Sequence, residues 1–362
     1  YRVPVTGTIE LGIAPFIERS IREAHEAGAA AVILDIRTPG GRVDAAQRIV
    51  DALLSAPLPV YAFVNRHAYS AGAMIALATE GVYMVPGAVI GAATPVDGEG
   101  RKAPEKIVSA MRSEMRAIAE ARGREPRIAE AMVDEDIVIP GVVDEGKLLT
   151  LTADEAARIG YATEVESWDA LLEVLELSGA DVVTADANWA ELLVRFLTHP
   201  LVAPMLLTLG FLGLLVEIKT PAFGMAGVAG AVCLALFFGS HYLVGLAGWE
   251  ELILLGVGLV LLGIEIFVVP GFGIFGVTGI LAVLASIYFS LVGNLATGAD
   301  LGQAATMLTA VILLVLVGGW ALLRTLSRNG RLAESKFLML SSASRESGYV
   351  SAVARTDLVG AE

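Results

Sequence analysis

The chain has 362 residues, of which 55% are hydrophobic, and a net charge of −14. The acidic balance argues against a nucleic-acid partner, because binding phosphates needs a basic face. The single cysteine, Cys233, leaves no disulfide framework and no cysteine metal site. The apolar residues are concentrated after residue 200, so the pattern excludes an ordinary soluble domain and indicates a charged globular part followed by a membrane part.

Strand and helix patterns alternate along residues 1–198. Short alternating or buried apolar runs predict strands, and apolar residues at helical spacing predict helices. The strands are predicted at 3–10, 30–36 and 58–64, and the helices at 13–28 and 43–56. This alternation predicts stacked βαβ units with largely parallel strand pairing.

Further elements follow Ser70, which stands at the predicted start of a helix of small residues. Two short strands and a longer helix are predicted after it, at 81–85, 88–92 and 104–122. Thr152 and Glu155 have the spacing of a capping box, which begins a helix, and Gly160 ends that helix. The first half of the chain is therefore predicted to be an α/β domain.

Residues 200–326 are almost continuously apolar, and a membrane span needs ~20 such residues. About five spans are predicted, at 200–216, 222–246, 252–269, 274–292 and 304–323. A Lys-Thr-Pro turn alone separates the first two, so four spans with a re-entrant piece is the alternative. Basic residues follow the last span, among them Arg324 and Arg328. They predict a cytoplasmic C-terminal tail and, if the number of spans is odd, an N-terminal domain outside the cytoplasm.

The membrane part contains an internal repeat, because 217–230 and 265–279 share the order Glu-Ile, Pro, Phe-Gly, Gly-Val, Gly. This predicts a duplicated helical hairpin with tight contacts through glycine. Glu217 and Glu265 are acids at or near apolar depth, which suggests a functional site. The simpler interpretation, which we favour, is that each acid lies near a span end and caps the next turn.

Candidate chemistry begins with Ser70 and the Pro-Gly-Gly turn at 39–41. Two consecutive glycines after a strand allow the backbone to approach a ligand with its N–H groups exposed, although a plain turn would explain them as well. At a helix start, the N–H groups of Ser70 and Ala71 attract negative charge. An N-cap is the alternative role for Ser70. The small residues 71–73 favour a nucleophile, since they leave space around the hydroxyl.

A serine nucleophile needs a base, and lysine can serve if its pKa is lowered by burial. Lys106 is the best candidate, because it is predicted in the first turn of a helix, where the dipole disfavours an ammonium. Lys102 lies in a polar run and is predicted to be solvated. His67 is the alternative base, but a residue three positions back along a loop usually points away from the serine.

Three stretches resemble the ClpP-class serine peptidases in order and spacing: DIRTPGG (35–41), YSAGAMIALA (69–78) and LTADEAARIG (151–160). The stretch at 102–124, together with the multispan part, resembles the membrane-anchored NfeD branch of that class. The resemblance implies a ClpP/crotonase-like βαβ superhelix followed by an α-helical membrane domain. The implied parts are a protease domain at 1–185, a linker at 186–199, a membrane domain at 200–326 and a tail at 327–362 leading into a truncated OB-like domain.

The resemblance also implies roles for single residues. Ser70 is the implied nucleophile, Lys106 the general base, and Gly41 and Ala71 the donors to the oxyanion. No histidine stands in VIGAATPV (89–96), where soluble ClpP relatives have one, and this favours a Ser-Lys dyad. Neither a cofactor nor a metal is expected. Neighbours of Ser70 are predicted to contact substrate, namely Gly40, Tyr69, Met74 and Ile75.

The first hypothesis is therefore a membrane-anchored serine endopeptidase that cleaves hydrophobic segments of membrane proteins, with stomatin-like proteins as the partners implied by the resemblance. The second is a scaffold that organises stomatin/SPFH-type proteins and has weak or vestigial peptidase activity. Acyl-CoA chemistry on a crotonase-type fold has little support, because no acidic base stands beside the Gly-Gly turn. A homo-oligomer of unknown order is expected, since an isolated subunit would expose large apolar faces.

Overall fold

A computed structural model describes residues 1–96, 100–219, 224–268, 273–292 and 298–328. The chain divides into two compact units. The first contains 1–202 and 238–308, and the second contains 203–237 with the described part of 309–362. Each unit is described by itself.

The first unit begins with an α/β domain built on a seven-stranded sheet. Its strands are β1 (Arg2–Thr6), β2 (Val32–Thr38), β3 (Val60–Tyr69), β4 (Gly81–Met84), β5 (Val89–Gly91), β6 (Thr150–Thr152) and β7 (Thr163–Glu164). The main order is β1-β2-β3-β4-β7, while β5 pairs with β3 and β6. Only the β5–β6 pair among these named strands is antiparallel, so the predicted α/β class with a largely parallel sheet is confirmed.

Eight helices accompany the described strands. They are α1 (Ile13–Glu26), α2 (Val43–Leu54), α3 (Ala71–Leu77), α4 (Glu105–Ala121), α5 (Pro126–Ala131), α6 (Ala153–Arg158), α7 (Trp168–Val174) and α8 (Trp189–Leu197). The longer ones bury one apolar face in the core, as Ile13, Ile17 and Ile21 do along α1. At the start of α6 the predicted capping box of Thr152 and Glu155 is present.

Strand β3 is longer than predicted and carries Ser70 at its end. The register shifts from Ile36 opposite Val64 to Thr38 opposite Ala68, so β3 has two more residues than β2 in this interval. Beyond the shift, β3 pairs with β5 instead of β4. The structure therefore corrects the expectation of a loop at His67, which lies in β3 opposite Val89.

Helix α3 is fully buried, and its small residues serve packing. A Cβ atom added to Gly72 would lie 2.4 Å from Cγ2 of Thr38, so glycine lets α3 lie directly on β2. This corrects the interpretation of 71–73 as open space around the serine hydroxyl. Arginines satisfy carbonyls at the far end of α3, where Arg122 donates to Ala78 O at 2.7 Å and Arg124 donates to Leu77 O at 2.7 Å. Burial lowers the pKa of Arg124.

The predicted linker at 186–199 contains helix α8, which is docked on the α/β domain. Arg19 of α1 forms an ion pair with Glu191 at 2.7 Å, and Arg195 lies 2.7 Å from Glu10. The segment therefore has a helix of its own that contacts the domain, and its role as a linker stays a prediction.

Five helices follow, and each coincides with one of the five predicted apolar stretches. They are α9 (Val202–Lys219), α10 (Met225–Leu243), α11 (Trp249–Phe267), α12 (Ile274–Val292) and α13 (Gly298–Arg328). Within the described residues, three helical segments are long and apolar enough to cross a membrane, in α10, in α12 and at Leu301–Leu322 of α13. Helices α8 and α9 make a fourth if they are counted together as one broken span. Five spans therefore stays a prediction.

The internal repeat has the same hydrogen bonds in both copies. In each, a glutamate near the end of one helix accepts hydrogen bonds of 2.5 to 3.1 Å from two backbone N–H groups at the start of the next helix. The pairs are Glu217 with Gly224 and Gly227, and Glu265 with Gly273 and Gly276. These contacts satisfy helix N-termini and confirm the capping interpretation of both acids.

Glycine also brings the two helices of each hairpin together. A Cβ atom on Gly213 would lie 2.6 Å from Ala226 O and 2.9 Å from Gly230 Cα, between α9 and α10. Between α11 and α12, a Cβ atom on Gly279 would lie 3.0 Å from Gly258 O. The predicted hairpins with close glycine contacts are confirmed. The Thr-Pro part of the turn between the first two spans lies outside the described residues, as does the tail at 329–362 with its expected OB-like domain.

Candidate active site

Ser70 has a strained backbone at the junction of β3 and α3. Its φ of 51° and ψ of −117° lie in a region that favours glycine and costs other residues about 1–3 kcal/mol. Its side chain makes no capping hydrogen bond, which removes the N-cap explanation suggested by the sequence. The side chain is half-buried, so a strained turn holds a serine hydroxyl that helix capping does not use.

The Pro-Gly-Gly turn lies directly against this serine. A Cβ atom added to Gly40 would lie 2.7 Å from Ser70 Cβ and 3.3 Å from Ser70 Oγ, and the φ of Gly40 is +102°. Two stretches 30 residues apart in sequence are thus brought into contact, as the candidate site requires. No side chain larger than hydrogen fits at Gly40 without movement of the serine.

Gly41 is fixed by a bridge to Ile9. Ile9 donates its N–H to Gly40 O at 2.9 Å and accepts from the N–H of Arg42 at 2.8 Å, which turns the N–H of Gly41 to the other side. A Cβ atom at Gly41 would lie 2.1 Å from Ile9 O, so only glycine fits here. The N–H of Gly41 donates to no described residue and is oriented away from Ile9, as an oxyanion donor should be.

Thr38 organises the same turn and was not found by sequence reasoning. Its buried hydroxyl accepts a hydrogen bond from the N–H of Gly40 at 3.0 Å and donates to Gly7 O at 2.6 Å. The side chain therefore ties the turn to the end of β1. The only signal in the sequence was the position of a threonine just before Pro-Gly-Gly, which is too common to interpret by itself.

The two N–H groups expected at the start of α3 differ. The N–H of Ser70 donates to Gly91 O at 3.0 Å, so the expectation that this group is unsatisfied is wrong. The N–H of Ala71 donates to no described residue, which keeps it available for an oxyanion. Together with Gly41, the site thus retains two candidate donors.

Lys106 lies in the first turn of α4, as predicted, but its side chain is exposed. The desolvation expected from the sequence is therefore absent in this conformation. Helix α4 runs beside α2, because Gln47 donates to Glu114 at 2.8 Å and Arg122 donates to Leu53 O at 2.8 Å. Both contacts come in the same order along the two helices, so α2 and α4 run in the same direction. The start of α4 is therefore directed toward the start of α2, which follows Gly41.

The segment after β5 connects Ser70 with the region before α4. Gly91 accepts the hydrogen bond from Ser70 N, and four residues later Pro95 O accepts one of 2.9 Å from Ala103 N. Lys106 is three residues beyond Ala103. Two backbone hydrogen bonds thus link the segment that carries Ser70 to the segment that precedes Lys106.

The other lysines of this domain are held by acids. Lys102 donates to Glu135 at 2.9 Å, and this hydrogen bond raises the pKa of Lys102, which makes it a poor base. Lys147 pairs with Asp144 at 2.9 Å at the surface. The sequence-based preference for Lys106 over Lys102 is consistent with these contacts.

The predicted substrate contacts fall into two groups. Tyr69 is half-buried next to Ser70, and its ring stacks on His67 with centroids 5.2 Å apart. Met74 and Ile75 are fully buried in the core, so their predicted role as substrate contacts is wrong. They face the interior because α3 is surrounded by the domain on all sides.

Two domain models of known proteins match this chain. Residues 1–185 match the NfeD1b N-terminal domain, and residues 201–324 match the NfeD integral membrane domain. Membrane protein NfeD1b of Bacillus subtilis is 40% identical over 363 residues, covering 99% of this chain and 80% of that protein. Membrane-bound protease PH1510 of Pyrococcus horikoshii is 29% identical over 312 residues, covering 78% of this chain and 66% of that protein.

Two solved structures are similar to the first half of this chain. A mutant of the 1510-N membrane-bound stomatin-specific protease in complex with a substrate peptide is 26% identical, with a TM-score of 0.47 and coverage of 54% of this chain and 96% of that chain. The 1510-N membrane protease from Pyrococcus horikoshii is 24% identical, with a TM-score of 0.43 and coverage of 55% and 97%. Both scores lie below 0.5, so neither likeness bears on the activity of this chain.

Proposed function

Because this chain belongs to the NfeD family of membrane proteins, we propose that it is a membrane-anchored serine endopeptidase with a Ser-Lys dyad of Ser70 and Lys106. The contact of the Gly40 turn with Ser70 is the observation that carries the proposal. A strained serine with no capping bond, placed against a glycine turn, has no evident use in folding alone. The relative from Pyrococcus horikoshii is named a membrane-bound protease, which supports the same reaction class.

The proposed reaction is acyl transfer. Ser70 Oγ attacks the scissile carbonyl carbon while its proton passes to Lys106 Nζ. The carbonyl oxygen becomes negative and accepts hydrogen bonds from the N–H groups of Gly41 and Ala71. The C–N bond then breaks, Lys106 returns the proton to the leaving amine, and water hydrolyses the acyl-enzyme by the reverse sequence.

Lys106 must be neutral to accept a proton, whereas its side chain is exposed in the isolated chain. A peptide bound over the site, or a second subunit, would remove water from it and disfavour the ammonium. We therefore propose that the dyad becomes competent only when the lysine is covered. This fits the expected homo-oligomer, in which a second subunit would cover the lysine.

The proposed substrates are hydrophobic segments of membrane-associated proteins, with stomatin-like proteins as the class implied by the sequence resemblance. Gly40 and Tyr69 remain the proposed contacts to the peptide. The protease domain is proposed to lie outside the cytoplasm and the C-terminal tail inside it, because Arg324 and Arg328 follow the last apolar stretch, at the end of α13.

Ser70→Ala and Lys106→Arg test the mechanism in the full chain with an apolar peptide and a fluorophosphonate probe. Both variants should lose cleavage by at least ~10³, since one lacks the nucleophile and the other cannot release its proton. Lys102→Arg is the matched control, because that side chain already pairs with Glu135, and it should cleave at the wild-type rate.

Two outcomes would contradict the dyad. Full cleavage by Lys106→Arg would remove Lys106 from the reaction, and retained cleavage by Ser70→Ala would remove Ser70. If the wild-type chain is labelled at no pH, the second candidate is favoured, a scaffold for stomatin/SPFH-type proteins. The exposed side chain of Lys106 is the observation that supports this candidate, because exposure lacks the desolvation that the proposed general base requires.

A further inference from the structure

Helix α8 presents its apolar side chains outward. Trp189, Leu192 and Phe196 are 78%, 55% and 61% exposed, and Leu193 is 42% exposed. Positions separated by three, four and seven residues lie on one face of a helix, so these four side chains form a continuous stripe. We call the four residues the α8 stripe. A stripe of this kind normally faces a core, and here it faces away from the domain.

The opposite face of α8 is attached to the domain by charges. Glu191 receives two hydrogen bonds from Arg19, at 2.7 and 2.9 Å, and Arg195 forms the ion pair with Glu10. Asn188 and Glu191 also form a capping box that fixes the start of the helix. Rolling α8 to bury its stripe would break these ion pairs, so the outward direction of the stripe is built into the fold.

Contact of the α8 stripe with water is unfavourable, because exposed apolar area is less stable than buried apolar area. The position of α8 in the chain identifies the apolar medium. Only residues 198–201 separate α8 from α9, the first helix of the matched membrane domain, and Leu201 among them is 72% exposed. A helix tethered this closely to a membrane domain cannot leave the bilayer surface.

We propose that α8 lies in the interface of the lipid bilayer, with its stripe among the upper acyl chains and its charged face against the protease domain. A tryptophan at the edge of such a helix is typical of interfacial positions. The helix then acts as a second attachment of the domain to the membrane, in addition to the chain connection. This interaction does not depend on peptidase activity.

Only a few contacts connect α8 with the candidate site. Arg195 pairs with Glu10, and the adjacent Ile9 holds the backbone on both sides of Gly41. A helix seated in the bilayer surface would therefore hold the Gly40–Gly41 turn at a fixed height above the lipid. That position suits a partner whose recognised segment emerges directly from the membrane.

Lipid contact can be measured with fluorescent labels on the full chain. Leu192→Cys and Phe196→Cys, each in a Cys233→Ser background, would carry the polarity-sensitive dye NBD in phosphatidylcholine/phosphatidylglycerol vesicles. Val174→Cys on α7, 53% exposed, is the matched control in the same domain. We expect blue-shifted emission at 192 and 196, and quenching there by shallow doxyl lipids at least threefold stronger than at 174.

Two results would overturn the proposal. Quenching at 192 and 196 no stronger than at 174, without a blue shift, would mean that water covers the stripe. A blue shift without lipid quenching, together with disulfide-linked dimers of the unlabelled variants, would mean that a second copy of the chain covers it. Both positions are exposed, and unchanged thermal unfolding of the labelled chains verifies that they fold. The fluorescence readout needs no cleavage, so it separates this proposal from the peptidase.

Discussion

At the scale of single residues, Gly40 is where the backbone comes closest to the candidate nucleophile. We predict that Gly40→Ala lowers fluorophosphonate labelling at least tenfold, because the new Cβ would meet Ser70 Cβ at 2.7 Å. Gly87→Ala is the matched control, since Gly87 also has a positive φ, +78°, but has open space around its Cβ position. Both variants should lose ~1 kcal/mol or more of stability. Equal losses of labelling would show that strain, and not the contact, matters.

Thr38 gives a second prediction at this scale. Thr38→Val should lower kcat about tenfold with little change in KM, because the Gly40 N–H loses its acceptor and the turn loosens in the transition state. Thr38→Ser keeps the hydroxyl and should restore kcat.

The control for this prediction is Thr79→Val. Thr79 is also fully buried, but its hydroxyl bonds Ala76 O and Gly81 O at the other end of α3. Its substitution should reduce stability and leave kcat unchanged. A similar loss of kcat in both valine variants would make Thr38 a purely structural residue.

At the scale of elements, α8 has a pH-dependent attachment. Burial raises the pKa of Glu191, but hydrogen bonds from Arg19 and from Asn188 N outweigh it, and the pKa is lowered overall. A carboxyl with a lowered folded-state pKa contributes stability that is present above its ordinary pKa of ~4.3 and is lost as pH falls through the lower folded-state value.

We therefore predict that Glu191→Gln lowers the thermal midpoint of the full chain by a few degrees at pH 7 and by less near pH 3. The expected loss at pH 7 is ~1–2 kcal/mol, as for a hydrogen bond to a charged group. Glu173→Gln on α7 is a control that should change neither midpoint. A deficit of the same size at both pH values would contradict the titration.

The elements around the site could be predicted because their apolar residues follow clear periods, as in α1, α2 and β2. Strands β6 and β7 were not predicted, since three and two residues are too short to show a period. Helix α8 lies in the segment predicted as a linker, and its charges face the domain, the reverse of the usual pattern. Motifs brought Ser70 and Gly40 together correctly, whereas the exposure of Lys106 depends on the folded surroundings, which no local pattern records.

At the scale of the whole molecule, the orientation can be tested in cells. In a Cys233→Ser background, a cysteine at Val174 should react with a membrane-impermeant maleimide in intact cells, and one at Ser341 should react only after lysis. The prediction follows from the basic residues after the apolar part of α13 and from an odd number of spans. Labelling of both positions from outside, or of neither, would establish an even number and revise the topology.

The glutamate–glycine contacts of each hairpin indicate where the chain could be split into two fragments. Each hairpin satisfies the start of its second helix from within, Glu217 for α10 and Glu265 for α12. Neither pair of contacts uses a residue of the other hairpin. A chain cleaved between α10 and α11 would thus yield two polypeptides with intact hairpins, and co-expressed fragments should complement each other as a split membrane protein.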